Sequence, residues 1–445
     1  MFFEIAGTMD KHRKERIGLW GVVAIGVGGM VGGGIFAVLG LAVQLAHGGT
    51  PIAFLVAGLV ALVTSYSYAR LSVTYPSQGG TVEFVNQAFG VGLFTGALNI
   101  LLWISYVVML SLYAYAFGSY GASFMPAAFQ PAGKHLLISG VIVLFTVLNV
   151  LGSSKVGEAE EWIVGLKIAI LALFIVVGLW SVESGRIAPS TWASFPQLIA
   201  GGMIIFLAYE GFELIANAAR DVANPSSALP RAYYISVIFV IILYVLVSLV
   251  TVGNLSIGKI VAARDYALAE SAKPFLGATG FMLIAIAALL STGSAINATL
   301  YGAARISYVI AKDGELPDIL ERKIWHRPVE GLFITCGLAL LVANLLNLSS
   351  ISVMGSAGFL LIFSAVNASN MRLHRETKSG RWLSGIGVFA CLSALAILVW
   401  QRVKTAPNEL WVLVVMLLVS FAIEVVYKKI AGRVIRPVFQ RSRGR

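Results

Sequence analysis

Charge is scarce in this chain. Only 12% of its 445 residues are Asp, Glu, Lys or Arg, against 58% that are hydrophobic, whereas a soluble domain carries roughly 25% charged residues. So few charges would leave a soluble surface dry, which excludes the soluble classes. Cysteine is scarcer still. Cys336 and Cys391 both fall within apolar runs, which argues against a disulfide framework and against a thiolate metal site. The five histidines, at 12, 47, 135, 326 and 374, lie at the ends of apolar runs or between them and have no zinc spacing. No glycine-rich phosphate loop follows a strand, and no hydrolytic cluster is visible, so neither an enzyme nor a metal site is expected. A short apolar core followed by a small-residue cleavage site is also missing, so no signal peptide is expected.

Long apolar stretches are what the chain has in abundance. A spanning helix needs about 20 mostly apolar residues, and counting such runs gives about twelve. They lie near 17–40, 52–75, 91–117, 135–152, 161–181, 196–218, 231–253, 276–310, 329–348, 351–371, 382–401 and 409–427. The eighth is too long for one straight span. It is expected to continue beyond the bilayer as a cytoplasmic helix ending near Ala311, before the Lys312-Asp313-Gly314 turn. The net charge of +11 does not point to nucleic acid, because of where it sits. With a cytoplasmic N-terminus, cytoplasmic segments hold about 24 Lys and Arg and external ones about 7. Lys11, Arg13, Lys14 and Arg16, the Arg372–Arg381 loop and the tail from Lys428 carry the bias. The expected location is the cell membrane, multi-pass, with both termini cytoplasmic and the basic segments near anionic lipid.

Two spans break helix rules. Span 1 contains Gly26, Gly28, Gly29, Gly32, Gly33 and Gly34, and each glycine costs about 1 kcal/mol relative to alanine inside a helix. Span 6 carries Ala208-Tyr209-Glu210-Gly211-Phe212-Glu213, two carboxylates beside a glycine in mid-membrane. Spans 1 and 6 open two successive sets of five. Interrupted helices in corresponding positions point to a transporter's midplane site, and an odd repeat forces opposite orientations. The expected division is a cytoplasmic segment 1–16, a first repeat 17–181, a second 182–371, peripheral helices 372–427 and a basic tail 428–445.

Each feature has a functional and a bland reading. An unwound Gly32-Gly33-Gly34 exposes amides at a half-helix N-terminus, where a substrate carboxylate is favoured; the alternative is close helix packing, which Gly28 and Gly32 satisfy. In span 6, carbonyls near Phe206 and Tyr209, with Met30 of span 1, suit a substrate ammonium, and Phe206, Tyr209 and Phe212 suit a cover; ordinary core packing is the alternative. Glu210 and Glu213 are intramembrane carboxylates, which face a cavity or a partner. Lys167 lies about six residues, roughly 9 Å, inside span 5. It is either a snorkelling lysine or a buried amine that loads and releases a proton. Ser291, Thr292, Ser294 and Asn297 of span 8 suit a sodium ion or the Lys167 ammonium; the alternative is back-bonding to their own helix.

At these residues the chain resembles the amino acid–polyamine–organocation superfamily. The likeness runs through Gly32-Gly33-Gly34-Ile35-Phe36, Tyr75-Pro76-Ser77-Gln78-Gly79-Gly80, Ala208–Glu213, Asn224-Pro225 with Leu229-Pro230-Arg231, and Ala311–Pro317. It is most similar to proton-coupled archaeal members, through Val156-Gly157-Glu158-Ala159-Glu160 leading to Lys167, Ala272–Gly277 and Tyr301-Gly302-Ala303. The resemblance implies an all-α integral membrane fold, a LeuT-like 5+5 inverted repeat with two additional C-terminal helices. It implies alternating access around spans 1 and 6. It also implies that Lys167 takes the place of a sodium ion and bonds the Gly28 carbonyl and span 8 hydroxyls. The chain departs from the pattern at Glu210 and Glu213, at Arg220 where glutamate is common, and at Gly34 where serine stands. Glu213 matches the acid of the Gly-x-Glu pattern of arginine exchangers.

The expected function is proton-coupled amino acid transport, with the proton as coupling ion and no other cofactor. Gly28, Lys167, Ser291 and Ser294 are the expected coupling residues. Met30, Gly32, Gly33, Gly34, Phe206, Tyr209, Glu210 and Glu213 are the expected substrate contacts. An exchanger of the same fold is the nearest alternative, and a sensor or channel the next. The expected partners are an amino acid and the lipid bilayer, with the chain a monomer or weak homo-oligomer.

Overall fold

The computed structural model describes residues 16–77, 79–151, 155–312 and 329–431. The N-terminal basic segment up to Glu15, Gln78, the Asp313–Pro317 turn and motif and the tail beyond Ala431 lie outside the described residues, as do the side chains of Val156–Glu160. Every described element long enough to cross a membrane is a helix, as a bilayer demands of a chain that must satisfy its own backbone. Among the described residues no strand forms, and β-pairing is confined to two isolated bridges.

Among the described residues nine helices are long and apolar enough to cross a membrane, and two bent pairs, each taken as one span, bring the number to eleven. Val329–Leu345, with 17 residues, is a further, shorter apolar helix among the described residues and stands at the short end of the spanning range of about 17–25. In chain order span 1 is Leu19–Met30 with Gly34–Ala46, span 2 Thr50–Thr74, span 3 Leu93–Ala122, span 4 Gln130–Leu151 and span 5 Lys155–Leu179. Span 6 is Phe195–Ile204 with a short continuation to Asp221, span 7 Pro225–Asn254, span 8 Ala267–Lys312, span 9 Val329–Leu345, span 10 Leu348–Arg372, span 11 Arg381–Thr405 and span 12 Leu410–Ala431. Helices outrun the apolar windows because an interfacial turn needs no apolar residue. Span 4 therefore starts at Gln130 rather than 135, while span 1 reaches Ala46 rather than residue 40 because Leu41, Ala42, Val43 and Ala46 continue its buried apolar face. Span 8 is interrupted at Gly277, whose φ of 63° and ψ of −155° are not helical. Its first ten residues are thus a separate stretch of helix, and the part long enough to cross a membrane begins where the apolar run begins.

Spans 3 and 10 form the centre, with 72% and 89% of their apolar windows buried, while spans 4, 5, 11 and 12 bury only 22%, 28%, 28% and 28%. The two broken spans are pinned to each other at both ends. At one end Ile17 N–H donates to Asp221 O (2.8 Å) and Ala223 N–H to Ile17 O (2.9 Å). At the other, His47 bridges Trp192, and Gly48 N–H meets Thr191 O at 3.3 Å. A short helix follows the second span of each set of five: Thr81–Phe89 after span 2 and Ile257–Ala262 after span 7.

The Tyr75–Gly80 motif ties span 2 to the end of span 6. Ser77 Oγ accepts from the amides of Gly79 and Gly80 (3.0 and 3.1 Å). Gly80 has φ +47°, and a Cβ there would strike Asn217 and Ala216. Arg220 Nε donates to Pro76 O at 2.9 Å. Tyr75 donates to Glu376 beyond span 10; burial and that carboxylate push its phenol well above the usual value, which keeps the donor protonated.

Candidate functional site

The break in span 1 covers Val31, Gly32 and Gly33, and the helix turns by 47° across it. Glycine permits the close approach. A Cβ on Gly33 would collide with the Tyr113 ring and stand 2.9 Å from Thr292, and one on Gly34 would stand 2.8 Å from the Ala208 Cα. The packing and binding readings of this motif are thus compatible. The amides of Gly32, Gly33 and Gly34 have no hydrogen-bond partner among the described residues. Gly34 opens a helix of 13 residues, so these N–H groups sit at its positive end and suit an anion.

A break also frees carbonyls. An unbroken helix would pair Gly28 with Gly32 N–H, Met30 with Gly34 N–H and Val31 with Ile35 N–H. Side chains of three other spans answer instead. Lys167 Nζ donates to Gly28 O at 3.2 Å. The Tyr244 hydroxyl of span 7 lies 2.6 Å from Met30 O and 3.2 Å from Ala208 O, joining the two breaks. Ser291 Oγ lies 3.0 Å from Val31 O and also bonds Gly32 O. Lys167 is 1% exposed, so its stem does not snorkel to the head groups. Of the span 8 hydroxyls, Ser291 is bonded to span 1 carbonyls, Thr292 turns back to Ala288 O (2.7 Å), and Ser294 stands half-buried one turn further on.

Span 6 turns by 51°. Ile204 ends its first helix, Phe206–Tyr209 form a 3₁₀ turn, Glu210 is extended and Gly211 has φ +116°. Glu213 closes this turn. One carboxylate oxygen accepts from Gly211 N–H at 2.7 Å and the other from the Tyr106 hydroxyl at 3.1 Å. Glu210 accepts a long bond from Tyr113 at 3.4 Å. Both acids are buried. Glu213 is therefore engaged with protein donors, and Glu210 stands beside the tyrosine that touches Gly33.

The aromatic rings are placed otherwise than as a cover for substrate. Three residues make one 3₁₀ turn, so Phe206 and Tyr209 share a face, and that face turns to the core. Phe206 packs edge-on against Phe363 of span 10 (5.9 Å), and the Tyr209 hydroxyl donates to Phe54 O of span 2 (2.8 Å). Ala208, on another face, meets Gly34. What Phe206 and Tyr209 present to the break is backbone, and the Tyr209 carbonyl accepts no bond among the described residues.

Tyr244, Tyr106, Tyr113 and Ser356 escaped the sequence reading. Ser356 of span 10 accepts from Leu207 N–H (3.2 Å) and donates to Ile204 O (2.8 Å). A hydroxyl in the middle of an apolar span is the signal that marks them, because a buried tyrosine needs a partner. Tyr244→Phe would leave the Met30 and Ala208 carbonyls without that donor, a loss of about 1–3 kcal/mol. We expect a lower thermal midpoint and impaired uptake. Ser248→Ala, one turn along, removes only a bond to its own helix at Val245 and should change neither; equal effects of the two substitutions would deny Tyr244 a role at the breaks.

Two interrupted spans, unpaired glycine amides and a buried lysine at one break define a polytopic helical membrane transporter. The chain belongs to the amino acid permease family, whose model matches residues 17–421. It is 36% identical over 422 residues to an uncharacterized protein of Methanocaldococcus jannaschii, covering 95% of this chain and 97% of that one. It is 34% identical over 423 residues to the inner membrane transport protein YbaT of Escherichia coli, covering 95% and 98%. It is 25% identical over 412 residues to the branched-chain amino acid permease BcaP of Lactococcus lactis, covering 84% and 85%. Its activity is amino acid transport across a membrane, and it is not an enzyme.

Proposed function

We propose that this transporter takes up amino acids in symport with protons across the cell membrane. Its termini are cytoplasmic, and access alternates around spans 1 and 6 of two inverted five-span sets. The observation that carries the reading is the Lys167 ammonium, buried and 3.2 Å from the Gly28 carbonyl at the broken span. A charge inside a membrane is costly and marks an ion or proton path. An amine that holds the span 1 carbonyl when charged and releases it when neutral couples protonation to the shape of the break. The amides of Gly32, Gly33 and Gly34 receive the substrate carboxylate. The ammonium sits among the Tyr209 and Met30 carbonyls, with Glu210 alongside, while Glu213 holds the turn at Gly211.

Purified protein in vesicles should accumulate amino acids under an inward proton gradient without sodium. A panel of neutral and cationic amino acids, competed at two pH values, would define the substrates. Uptake that requires sodium and ignores pH would reject proton coupling. Counterflow without net uptake would make the protein an exchanger instead.

A further inference from the structure

Span 8 changes character along its length. On the external half its outward positions are apolar and open: Met282 is 53% exposed and Ile286 42%. From Ser294 onward Ala298, Thr299 and Gly302 are half-buried, and so are four polar residues on one line: Ser294, Asn297, Tyr301 and Arg305. Their spacing of three, four and four residues places them on one stripe. Ile296, Leu300 and Ala303 beside them are buried. Ser294 and Asn297 lie within about 30 Å of the Gly277 interruption, and lipid offers nothing to a hydroxyl or carboxamide there, so this part of the stripe faces protein or water, with Tyr301 and Arg305 following toward the cytoplasmic end. Part of it does face protein, since Asn297 Oδ1 accepts from Asn149 Nδ2 of span 4 at 2.8 Å.

The stripe begins beside Lys167. Span 8, even-numbered, runs opposite to span 1. Ser291 bonds Val31 O, which fixes the register of the two helices. One turn toward the cytoplasm lies Ser294 on span 8 and Gly28 on span 1, the residue that holds the Lys167 ammonium. From Ser294 to Arg305 the stripe descends about 16 Å at 1.5 Å per residue. On the cytoplasmic side of that ammonium the titratable residues of spans 1, 4, 5 and 8 are Arg16, Lys155, Glu158, Glu160, Glu161, Tyr301, Arg305, Tyr308 and Lys312; Lys134, His135, Glu270 and Lys273 belong to the external ends.

We propose that Ser294, Asn297, Tyr301 and Arg305 line a hydrated passage through which Lys167 releases its proton to the cytoplasm. The proposal rests on the proton-coupled reading above. In the release step an N–H bond of the ammonium breaks and its proton joins a water of the passage, giving a neutral amine and a hydronium ion. The hydroxyls and the Asn297 carboxamide hold that water in line, and Arg305 at the outlet repels the returning cation.

Two measurements test it. In a background carrying Cys336→Ala and Cys391→Ala, single cysteines are placed at Ala298, half-buried beside the stripe, and at Ile286. A membrane-impermeant thiol reagent is applied from the cytoplasmic side. Only a thiolate reacts and it needs water, so Ala298→Cys should label at least about tenfold faster than Ile286→Cys. Equally slow labelling would mean that the stripe faces lipid, and would overturn the passage. In vesicles reporting internal pH, Asn297→Leu should lower net proton-coupled uptake relative to exchange by about tenfold, the scale of one lost polar partner, and Asn297→Ser should restore much of it. An unchanged ratio in Asn297→Leu would also overturn the proposal. A parent protein that moves no protons would defeat the coupling reading itself. One that moves protons while Ala298→Cys stays unlabelled would defeat the passage alone.

Discussion

Lys167→Met is expected to reduce gradient-driven uptake to the level of protein-free vesicles while the protein still purifies as a folded species. Gly28 loses its natural donor because Gly32 no longer follows in helical register, and the Lys167 ammonium takes the donor's place at 3.2 Å. Methionine fills similar volume without the charge, so the packing of span 5 against spans 1 and 8 survives. The structural loss includes the Gly28 carbonyl left without that bond, about 1–3 kcal/mol. If Lys167 couples protonation to the break as proposed, the functional loss is complete, because no neutral thioether can alternate between holding Gly28 and releasing it. Lys167→Ala should lose transport equally and some stability besides, since it opens a cavity. The measurements are uptake under an imposed proton gradient and thermal unfolding of the same preparations. Undiminished uptake by Lys167→Met would remove this residue from the coupling mechanism, whatever its burial.

The membrane class and the places where the helices fail were legible in the sequence. Both follow from composition: apolar runs of spanning length are unmistakable, and consecutive glycines in span 1 or two acids around Gly211 are too costly to be incidental. The placement of Lys167 was half legible. Its depth in span 5 was readable, but whether its ammonium turned to the head groups or inward depended on spans 1 and 8. The partners of the freed backbone were hidden. Tyr244, Ser291 and Ser356 stand on three different spans, and no spacing along the chain announces that they converge on Met30, Val31 and Ile204. The fate of the span 6 aromatics was hidden for a different reason. Whether Phe206 and Tyr209 share a face depends on local helix type: in an α-helix the i, i+3 pair would be offset by about 60°, and in the 3₁₀ turn they align. Glu213 was read as a substrate contact, yet its two oxygens accept from Gly211 and Tyr106, a geometry that only the unwound turn creates.

Gly211→Ala is the substitution expected to damage the fold most. Gly211 has φ +116°, a conformation that side-chain-bearing residues rarely adopt, and strain of this kind costs of order 1–3 kcal/mol. Space is the larger obstacle. A Cβ at Gly211 would overlap the Gly29 carbonyl carbon and lie 2.6 Å from Met30 N. Those are backbone atoms of the other broken span, so no rotamer change relieves the clash. Span 1 would have to withdraw, and with it the Gly28 carbonyl that holds Lys167 and the Met30 carbonyl that holds Tyr244. The Glu213 bond to the Gly211 amide would go as well. We expect little monodisperse protein and no uptake. Gly140→Ala in span 4 is the matched control. Nothing lies within 4 Å of a Cβ there, so the substitution should be neutral or stabilise its helix by up to about 1 kcal/mol. Yield after detergent extraction, thermal midpoint and uptake, compared for the two variants, decide the matter. A well-folded, active Gly211→Ala would mean that the two breaks are not held in backbone contact, and that the closeness of Gly29 and Gly211 does not organise the site.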